Sequence, residues 1–155
     1  MRNFYIEMKF PRLHRSQYKL TSPATSKYNC IAWAAGDDLH WWEPDSLGLY
    51  HWPKGVPRQW TMDAYVEAFR QIGFEICEES LSRSTREFEN GWEKIAIYAK
   101  EDGRPTHATR QLSNGTWTSK LGKTEDIQHE NPDDVGGAAY GEVVRIMRRP
   151  NVREQ

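Results

Sequence analysis

The amino-acid sequence predicts an α+β fold, with N-terminal helices packed on an antiparallel sheet of about four to five strands. Between residues 61 and 73 the apolar residues recur at helical spacing. Between residues 94 and 120 they alternate with period two, and short turns interrupt the alternation. Helices followed by consecutive strands are typical of α+β domains, whereas α/β domains alternate the two. The 155 residues fit one domain, taken as 1–155.

The first sixty residues are predicted to hold one short helix and much irregular chain. Residues 1–27 mix polar and aromatic side chains with two prolines, so we expect an irregular lead-in with room for one short strand. Residues 28–36 are expected to form a short helix that Gly36 ends. Residues 37–60 contain three prolines and two glycines, which prevent a long helix. We expect an ordered loop held by its aromatic residues, and loops of this length are often functional.

The next helix is the clearest element of the sequence. Thr61 can cap its N-terminus, Asp63 favours its positive end, and Gly73 can stop it. Five apolar residues share one face of this helix: Met62, Tyr65, Val66, Phe69 and Ile72. We expect that face to pack on the sheet.

The second half of the chain is predicted to supply the sheet. Five segments have the composition of short strands: 74–77, 94–100, 106–112, 116–120 and 143–147. The turns at 101–105 and 113–115 join the middle three strands into an antiparallel meander. Residues 78–91 are polar, residues 121–141 are rich in Gly and Asp, and we expect both segments to be surface loops.

The composition argues against several classes of protein. A net charge of −1 gives the whole chain no electrostatic drive toward nucleic acid or an anionic membrane, so we expect neither as a partner. No apolar run approaches the roughly 20 residues of a membrane span, and the first residues lack the apolar core of a signal peptide. We therefore expect a cytoplasmic protein, with delivery as an effector left open. The oligomeric state has no signal in the sequence.

The cysteines and histidines do not have the spacing of a metal site. Cys30 and Cys77 are too few for a disulfide scaffold, so we expect reduced thiols. The five histidines are scattered, and neither CxxC nor HxxxH occurs. We expect no metal and no cofactor.

Cys30 and His107 are the candidate catalytic pair. A cysteine that opens a helix is placed to become a thiolate, and an imidazole on a sheet can take its proton and return it. If the Cys30 helix packs against the His107 face of its strand, the two side chains can meet. A third group should orient the imidazole. Asp126 is the first candidate and Ser119, on the hairpin partner strand, is the second, with Glu125 and His129 also nearby in the sequence. Cys77 ends an apolar strand and is expected to be structural.

The residues around Cys30 offer a substrate-binding surface. The backbone N–H of Cys30 is the expected oxyanion donor, and Asn29 could assist it. Seven tryptophans are many for this length, and five of them fall between residues 33 and 60. Large aromatic residues usually serve core packing. The functional alternative is a groove wall beside Cys30, in which Trp33, Trp41 and Trp42 would contact an amide or peptide substrate, with Ser119 nearby.

Four segments of the chain together resemble an uncharacterised bacterial domain family that looks like papain-like or NlpC-like cysteine hydrolases. They are Tyr28-Asn29-Cys30-Ile31-Ala32-Trp33-Ala34, Glu93-Lys94-Ile95-Ala96-Ile97-Tyr98, His107-Ala108-Thr109-Arg110-Gln111-Leu112 and Gly115-Thr116-Trp117-Thr118-Ser119-Lys120-Leu121-Gly122. The resemblance covers about residues 25–148 and implies a papain-like domain. It implies a helix-borne Cys30 packed on an antiparallel sheet that carries His107. Where NlpC-type peptidases usually have a histidine at the start of a strand, this chain has Lys94.

The sequence leaves three functions open. The first is a thiol-dependent hydrolase or acyltransferase that acts on an amide or isopeptide bond through Cys30, His107 and Asp126. The second is a non-catalytic binding module on the same scaffold, such as an adaptor, immunity or phage-related protein, whose contact surface is the loop at residues 41–44. The third is nucleic-acid binding through the basic end of the chain, and the overall charge argues against it. The four arginines of that end are Arg145, Arg148, Arg149 and Arg153.

Overall fold

The computed structural model describes residues 2–78 and 82–151, and in these ranges it has three short α-helices and one seven-stranded antiparallel sheet. The helices are α1 (Phe4–Lys9), α2 (Cys30–Ala34) and α3 (Met62–Arg70). The strands are β1 (Lys19–Ser22), β2 (Glu75–Ile76), β3 (Trp92–Ala99), β4 (Pro105–Gln111), β5 (Trp117–Lys120), β6 (Asp126–His129) and β7 (Glu142–Pro150). Their order across the sheet is β1-β6-β5-β4-β3-β7-β2, and the α+β prediction is confirmed.

Helix α3 forms as its sequence pattern predicts. The Thr61 hydroxyl accepts the Ala64 N–H at 3.2 Å, which satisfies one of the unpaired donors of the first turn. Tyr65 and Phe69 are buried against the sheet, so the predicted apolar face is the packing face. Gly73 follows with φ of +101°, a conformation that favours glycine and ends the helical segment.

The sheet has more strands than the four to five predicted. Strand β6 lies inside 121–141, where a loop was expected, and β1 pairs with it from the lead-in. The residues of β6 lack the alternation of apolar and polar types that marks a strand, because its buried Asp126 and His129 are polar. Helix α1 and a 3₁₀ turn at Pro11–Arg15 also replace part of the expected irregular chain.

The two faces of the sheet carry separate cores. Alternate residues of a strand point to opposite faces, and here each face has its own cover. Helices α2 and α3 and the loop 37–60 cover one face, called the helix face, whose sheet residues are Ile95, Ile97, Ala108 and Met147. Helix α1 and the 3₁₀ turn cover the other, called the N-terminal face, whose sheet residues are Ala96, Tyr98, Trp117, Ile127 and Ile146. The N-terminal segment adds Phe10 and Leu13, both fully buried.

The loop 37–60 contains neither helix nor strand, as predicted, and side-chain hydrogen bonds hold it. Asn29 is its main tether, because Oδ1 accepts the Trp42 N–H at 3.1 Å and Nδ2 donates to the Trp42 carbonyl at 2.7 Å. The Asp45 carboxylate accepts the Leu49 N–H at 2.7 Å and an Arg58 N–H at 3.0 Å. The loop therefore has a defined shape.

The segment before β3 is anchored by a buried lysine. Of the surface connection predicted at 78–91, residues 79–81 lie outside the described residues. Lys94 Nζ donates to the carbonyls of Thr85 and Glu87, both at 2.8 Å, and lies 2.7 Å from Oε1 of Glu89. Lys94 thus has three acceptors and holds the neighbouring chain in place.

Candidate functional site

Cys30 opens α2, and its thiol is protonated at neutral pH. The Asn29 side chain caps this helix by accepting the Ala32 N–H at 3.1 Å. Cys30 is half-buried, and burial raises the pKa of its thiol to about 11. Backbone hydrogen bonding at Ala108 and Ile31 opposes the rise but is the smaller effect. A nucleophilic cysteine needs a pKa shift in the opposite direction.

His107 lies on the N-terminal face inside a cluster of rings. Its side chain is fully buried, and its ring stacks on Tyr140 with centroids 4.0 Å apart and planes within 3°. The Tyr98 ring is 5.0 Å away. Burial lowers the pKa of His107 well below its ordinary value, and nearby positive charge on His129 and Lys9 lowers it further. The imidazole is therefore neutral at pH 7.

The structure does not bring Cys30 and His107 together. Helix α2 packs on the helix face, over Ala108, while His107 precedes Ala108 on β4 and points to the opposite face. Two contacts fix this placement. Trp33 of α2 donates to the Thr118 hydroxyl at 3.0 Å. The Trp33 carbonyl accepts an Arg110 N–H at 3.3 Å. Helix α2 therefore does not pack against the His107 face, contrary to the prediction. On that face Tyr140 lies beside the imidazole.

A buried network of hydroxyl and imidazole groups surrounds His107. Nδ1 of His129 lies 2.8 Å from the Asn131 carbonyl, which can only accept, so this nitrogen carries the proton. Nε2 of His129 lies 2.8 Å from Ser119 Oγ. Ser119 Oγ also lies 2.8 Å from the Thr109 hydroxyl and 3.2 Å from Nε2 of His107. Ser119, proposed as the alternative orienting group, does contact the imidazole, within a buried hydrogen-bond network.

Asp126 lies on the helix face, away from His107. It pairs across strands with Lys120, and the next residue, Ile127, points into the core of the N-terminal face. Its Oδ2 accepts the Tyr28 hydroxyl at 2.6 Å and the Ser22 hydroxyl at 2.5 Å. Burial, and after it the hydrogen bond to Asp126, raises the pKa of Tyr28 to about 12. The carboxylate thus holds the segment that leads into α2 and does not orient an imidazole.

Two further residues from the sequence analysis are Glu125, a possible orienting group, and Cys77, which was expected to be structural. Glu125 precedes β6 and is half-buried, and its charge acts on Lys120. Cys77 packs against the core of the N-terminal face, its N–H donates to the Ile146 carbonyl at 2.9 Å, and burial raises its pKa. Neither residue contacts His107 through a hydrogen bond found in the described ranges.

The predicted substrate-binding residues near α2 serve packing and loop order. Trp33 stacks on Tyr28, with ring centroids 5.2 Å apart. Trp42 is buried, and its Nε1 donates to Asp37 at 2.8 Å. Trp41 is half-buried and donates to Glu43 at 3.3 Å. The residues at 41–44 are therefore mainly supports of the loop, and Asn29 is occupied as its tether.

The exposed surface of this loop comes from residues that the sequence analysis did not single out. Five large apolar side chains between residues 39 and 60 reach solvent: Leu39, Leu47, Leu49, Tyr50 and Trp60. Leu47 is 81% exposed and Leu49 73%. Apolar residues without a period cannot be assigned to a buried or an exposed side from sequence, so their only signal was their concentration in one loop.

The basic end of the chain is largely neutralised. Arg148 donates to Glu89 at 2.9 Å, and Arg149 donates to Glu93 at 2.7 Å. Arg145 donates to the Val144 carbonyl at 2.9 Å, and Arg153 lies outside the described residues. These pairs leave little uncompensated charge for a phosphate backbone on β7.

Two further findings concern metals and membranes. Over residues 2–78 and 82–151, no group of three or more His, Cys, Asp or Glu side chains is arranged to hold a metal ion. Across the same two ranges, none of the helices has the length and apolar character needed to span a bilayer.

Comparison with known proteins places the chain in a family. The model of a domain of unknown function, DUF7689, matches residues 19–148. No curated protein and no solved structure matches the chain. The match makes no link to papain-like hydrolases, and it begins after α1 and the 3₁₀ turn that cover the N-terminal face. Because the match covers most of the chain, this protein belongs to the DUF7689 family.

Proposed function

We propose that this chain is a non-catalytic binding module that contacts a partner protein through the loop 37–60. The observation that carries the proposal is that an ordered loop presents five large apolar side chains to solvent. Single exposed apolar residues are ordinary, whereas several of them within one short ordered loop favour an interaction site. The exposed set includes one tyrosine and one tryptophan, which are among the commonest residues to dominate binding energy.

The loop is prepared for binding because its conformation is already fixed. Trp52 is buried, its Nε1 donates to the Pro57 carbonyl at 3.0 Å, and its ring contacts Tyr65 edge-on at 5.2 Å. Together with the Asn29 and Asp45 hydrogen bonds, this anchor removes most of the ordering entropy that a flexible loop would lose on association. We expect a partner surface with aliphatic and aromatic side chains at its centre.

Electrostatics at the thiol favour binding over catalysis. The pKa of Cys30 is raised to about 11, so about one thiol in ten thousand is ionised at pH 7. A papain-like hydrolase that uses Cys30, His107 and Asp126 would need α2 or β4 to rearrange, because His107 faces the other side of the sheet. That activity stays a prediction.

A displayed peptide library tests the binding proposal. Random peptides on phage are selected against the immobilised protein, and the enriched peptides are measured by fluorescence anisotropy. We expect peptides with aliphatic and aromatic centres. The double variant Leu47→Asp/Leu49→Asp should weaken their binding by more than about fivefold, because loss of a central contact costs about 1 kcal/mol or more. The matched control is Phe4→Ser/Met8→Ser, which changes exposed apolar residues elsewhere and should bind as the unchanged protein does.

Two outcomes would contradict the proposal. One is the absence of enriched peptides, or peptides whose binding ignores the Leu47 and Leu49 changes. The other is iodoacetamide labelling of Cys30 with an apparent pKa below about 8.5, together with loss of that shift in His107→Ala. The second result would restore the thiolate–imidazole pair and the hydrolase.

A further inference from the structure

We propose that the exposed face of α1, together with the basic residues around it, docks on an anionic lipid surface. This inference is independent of the binding function of the loop 37–60. It rests on three observations: the orientation of α1, the charge of the first twenty residues, and the groove between α1 and the 3₁₀ turn.

Helix α1 turns its apolar residues outward. Ile6 is the buried residue of the helix and packs into the N-terminal face. Phe4, Tyr5 and Met8 are 71%, 82% and 66% exposed. At about 100° per residue these three side chains fall within an arc of about 100°, on the side opposite Ile6. The exposed face is therefore one continuous apolar stripe on a short helix.

The charge of the chain is unevenly distributed. Residues 1–20 contain five Lys or Arg residues and one Glu, a net charge of +4, in a chain whose net charge is −1. The five cations are Arg2, Lys9, Arg12, Arg15 and Lys19. The expectation that a membrane is no partner came from the overall charge, which averages over this asymmetry. A basic rim beside an apolar stripe is the pattern of helices that lie in the interface of an anionic membrane.

The cations differ in how strongly they are engaged within the protein. Arg12 forms an ion pair with Glu142 at 2.8 Å. Arg2 donates to the carbonyls of Leu13 and Ser16 at 2.9 and 2.7 Å. Lys9 and Arg15 are exposed. The Lys9 ammonium makes one weak cation–π contact, 5.7 Å from the centre of the Phe10 ring. Lys9 and Arg15 are therefore the cations best placed to meet lipid phosphates.

An open groove continues the apolar stripe toward Arg2 and Arg15. It has a volume of about 740 Å³ and lies between α1 and the 3₁₀ turn. Phe4, Met8 and Pro11 supply its apolar lining, and Arg2 and Arg15 line it as well. The lining also includes Glu7 and His14, which contact each other at 3.0 Å. Phe10 and Leu13 fix both elements to the core, so the groove and the stripe are held at the surface together.

The same surface fits nucleic acid less well. Bases bind on flat aromatic platforms. Here the Phe4 and Tyr5 rings meet edge to face, at 5.9 Å and 73°, and Met8 and Pro11 add aliphatic area without a stacking plane. Aliphatic area and phosphate-binding cations in one patch match the acyl and head-group layers of a bilayer.

Vesicle co-sedimentation tests the inference on the full chain. Vesicles of phosphatidylcholine alone are compared with vesicles that also contain about 30 mol % phosphatidylglycerol. We expect binding to the anionic vesicles, at least about tenfold weaker binding to the neutral ones, and loss of binding as salt is raised. Lys9→Gln and Arg15→Gln should each weaken binding by about fivefold, since each cation near the surface contributes about 1 kcal/mol. Phe4→Ser/Met8→Ser should remove most of the binding.

The control variant is Leu47→Ser/Leu49→Ser. It removes exposed apolar groups from the loop that covers the opposite face of the sheet, and it should bind vesicles as strongly as the unchanged protein does. Far-UV circular dichroism confirms that each variant is folded. The inference is overturned if the unchanged protein ignores anionic vesicles, if neutral vesicles bind equally, or if the α1 variants bind as well as the control. Tighter binding of a short oligonucleotide, or dimerisation that the α1 variants abolish, would assign the patch to another partner and would also overturn it.

Discussion

Two buried histidines are expected to make this protein sensitive to acid. His107 and His129 are both fully buried, and burial lowers the pKa of each below its ordinary value. The ring nitrogens of His129 lie against the Asn131 carbonyl and the Ser119 hydroxyl. A second proton on the ring would place a charge inside the core. The neutral form is therefore part of the native structure.

Acid should destabilise the native state through these two groups. As pH falls below about 6.5, the histidines of the unfolded chain take up protons while the folded ones, with lowered pKa values, do not. The free energy of unfolding should then fall with pH, by up to about 1.4 kcal/mol per pH unit for each histidine. His107→Gln should reduce this slope between about pH 7 and pH 5, as measured by urea unfolding at several pH values. An equal slope in His107→Gln and in the unchanged protein would refute the assignment.

At the scale of elements, Asn29 joins α2 to the loop 37–60. One side chain caps the helix at Ala32 and closes two hydrogen bonds to the backbone of Trp42. The cap lies at the point where the chain turns from lead-in to helix, and the loop returns to that same point. The position of the exposed apolar surface therefore depends on a residue that is itself buried.

Asn29→Ala should lower the free energy of unfolding by about 2–4 kcal/mol, because it removes the helix cap and leaves the Trp42 N–H and carbonyl without their partner. Asn29→Asp retains the acceptor oxygen for Ala32 and Trp42 and should cost less. Urea unfolding followed by tryptophan fluorescence measures both. A loss below about 0.5 kcal/mol in Asn29→Ala would show that the loop is held by other contacts.

The elements differ in how much of their placement is visible in the sequence. Helix α3 and strands β3 to β5 could be predicted because their apolar residues repeat with the period of the element. Strand β6 could not, since Asp126 and His129 are buried through hydrogen bonds that bring together residues distant in sequence. The same limit applies to the candidate catalytic pair. Cys30 and His107 were each assigned to a suitable element, but the face of the sheet that α2 covers is decided by tertiary packing, which no local period encodes.

At the scale of the whole molecule, one sheet separates two cores that differ in how much of their cover the family match includes. The helix face lies within the region matched by the family, whereas the cover of the N-terminal face includes α1 and the 3₁₀ turn, which precede that region. Strands β3 and β7 contribute side chains to both cores. A loss of packing on one face should therefore reach the other through the shared strands.

Leu13→Ala should destabilise the entire molecule by about 2–5 kcal/mol, the usual effect of truncating a fully buried leucine. Met8→Ala, at a neighbouring exposed position, should change the free energy of unfolding by less than about 0.5 kcal/mol. Far-UV circular dichroism and tryptophan fluorescence should report one coincident transition in each variant. Separate transitions would show that the two cores unfold independently.

The position of β7 also bears on how the chain is made by the ribosome. This strand lies between β3 and β2 in the sheet. The edges of β3 and β2 that pair with it therefore stay unpaired until residues 142–150 have been synthesised. Once β4 has paired with it, β3 keeps one open edge until residues 142–150 have been made. Unpaired strand edges are sites of unwanted pairing between nascent chains. Synthesis speed over this stretch, and chaperones that shield an open edge, should therefore influence the yield of native protein more than changes in the first half of the chain.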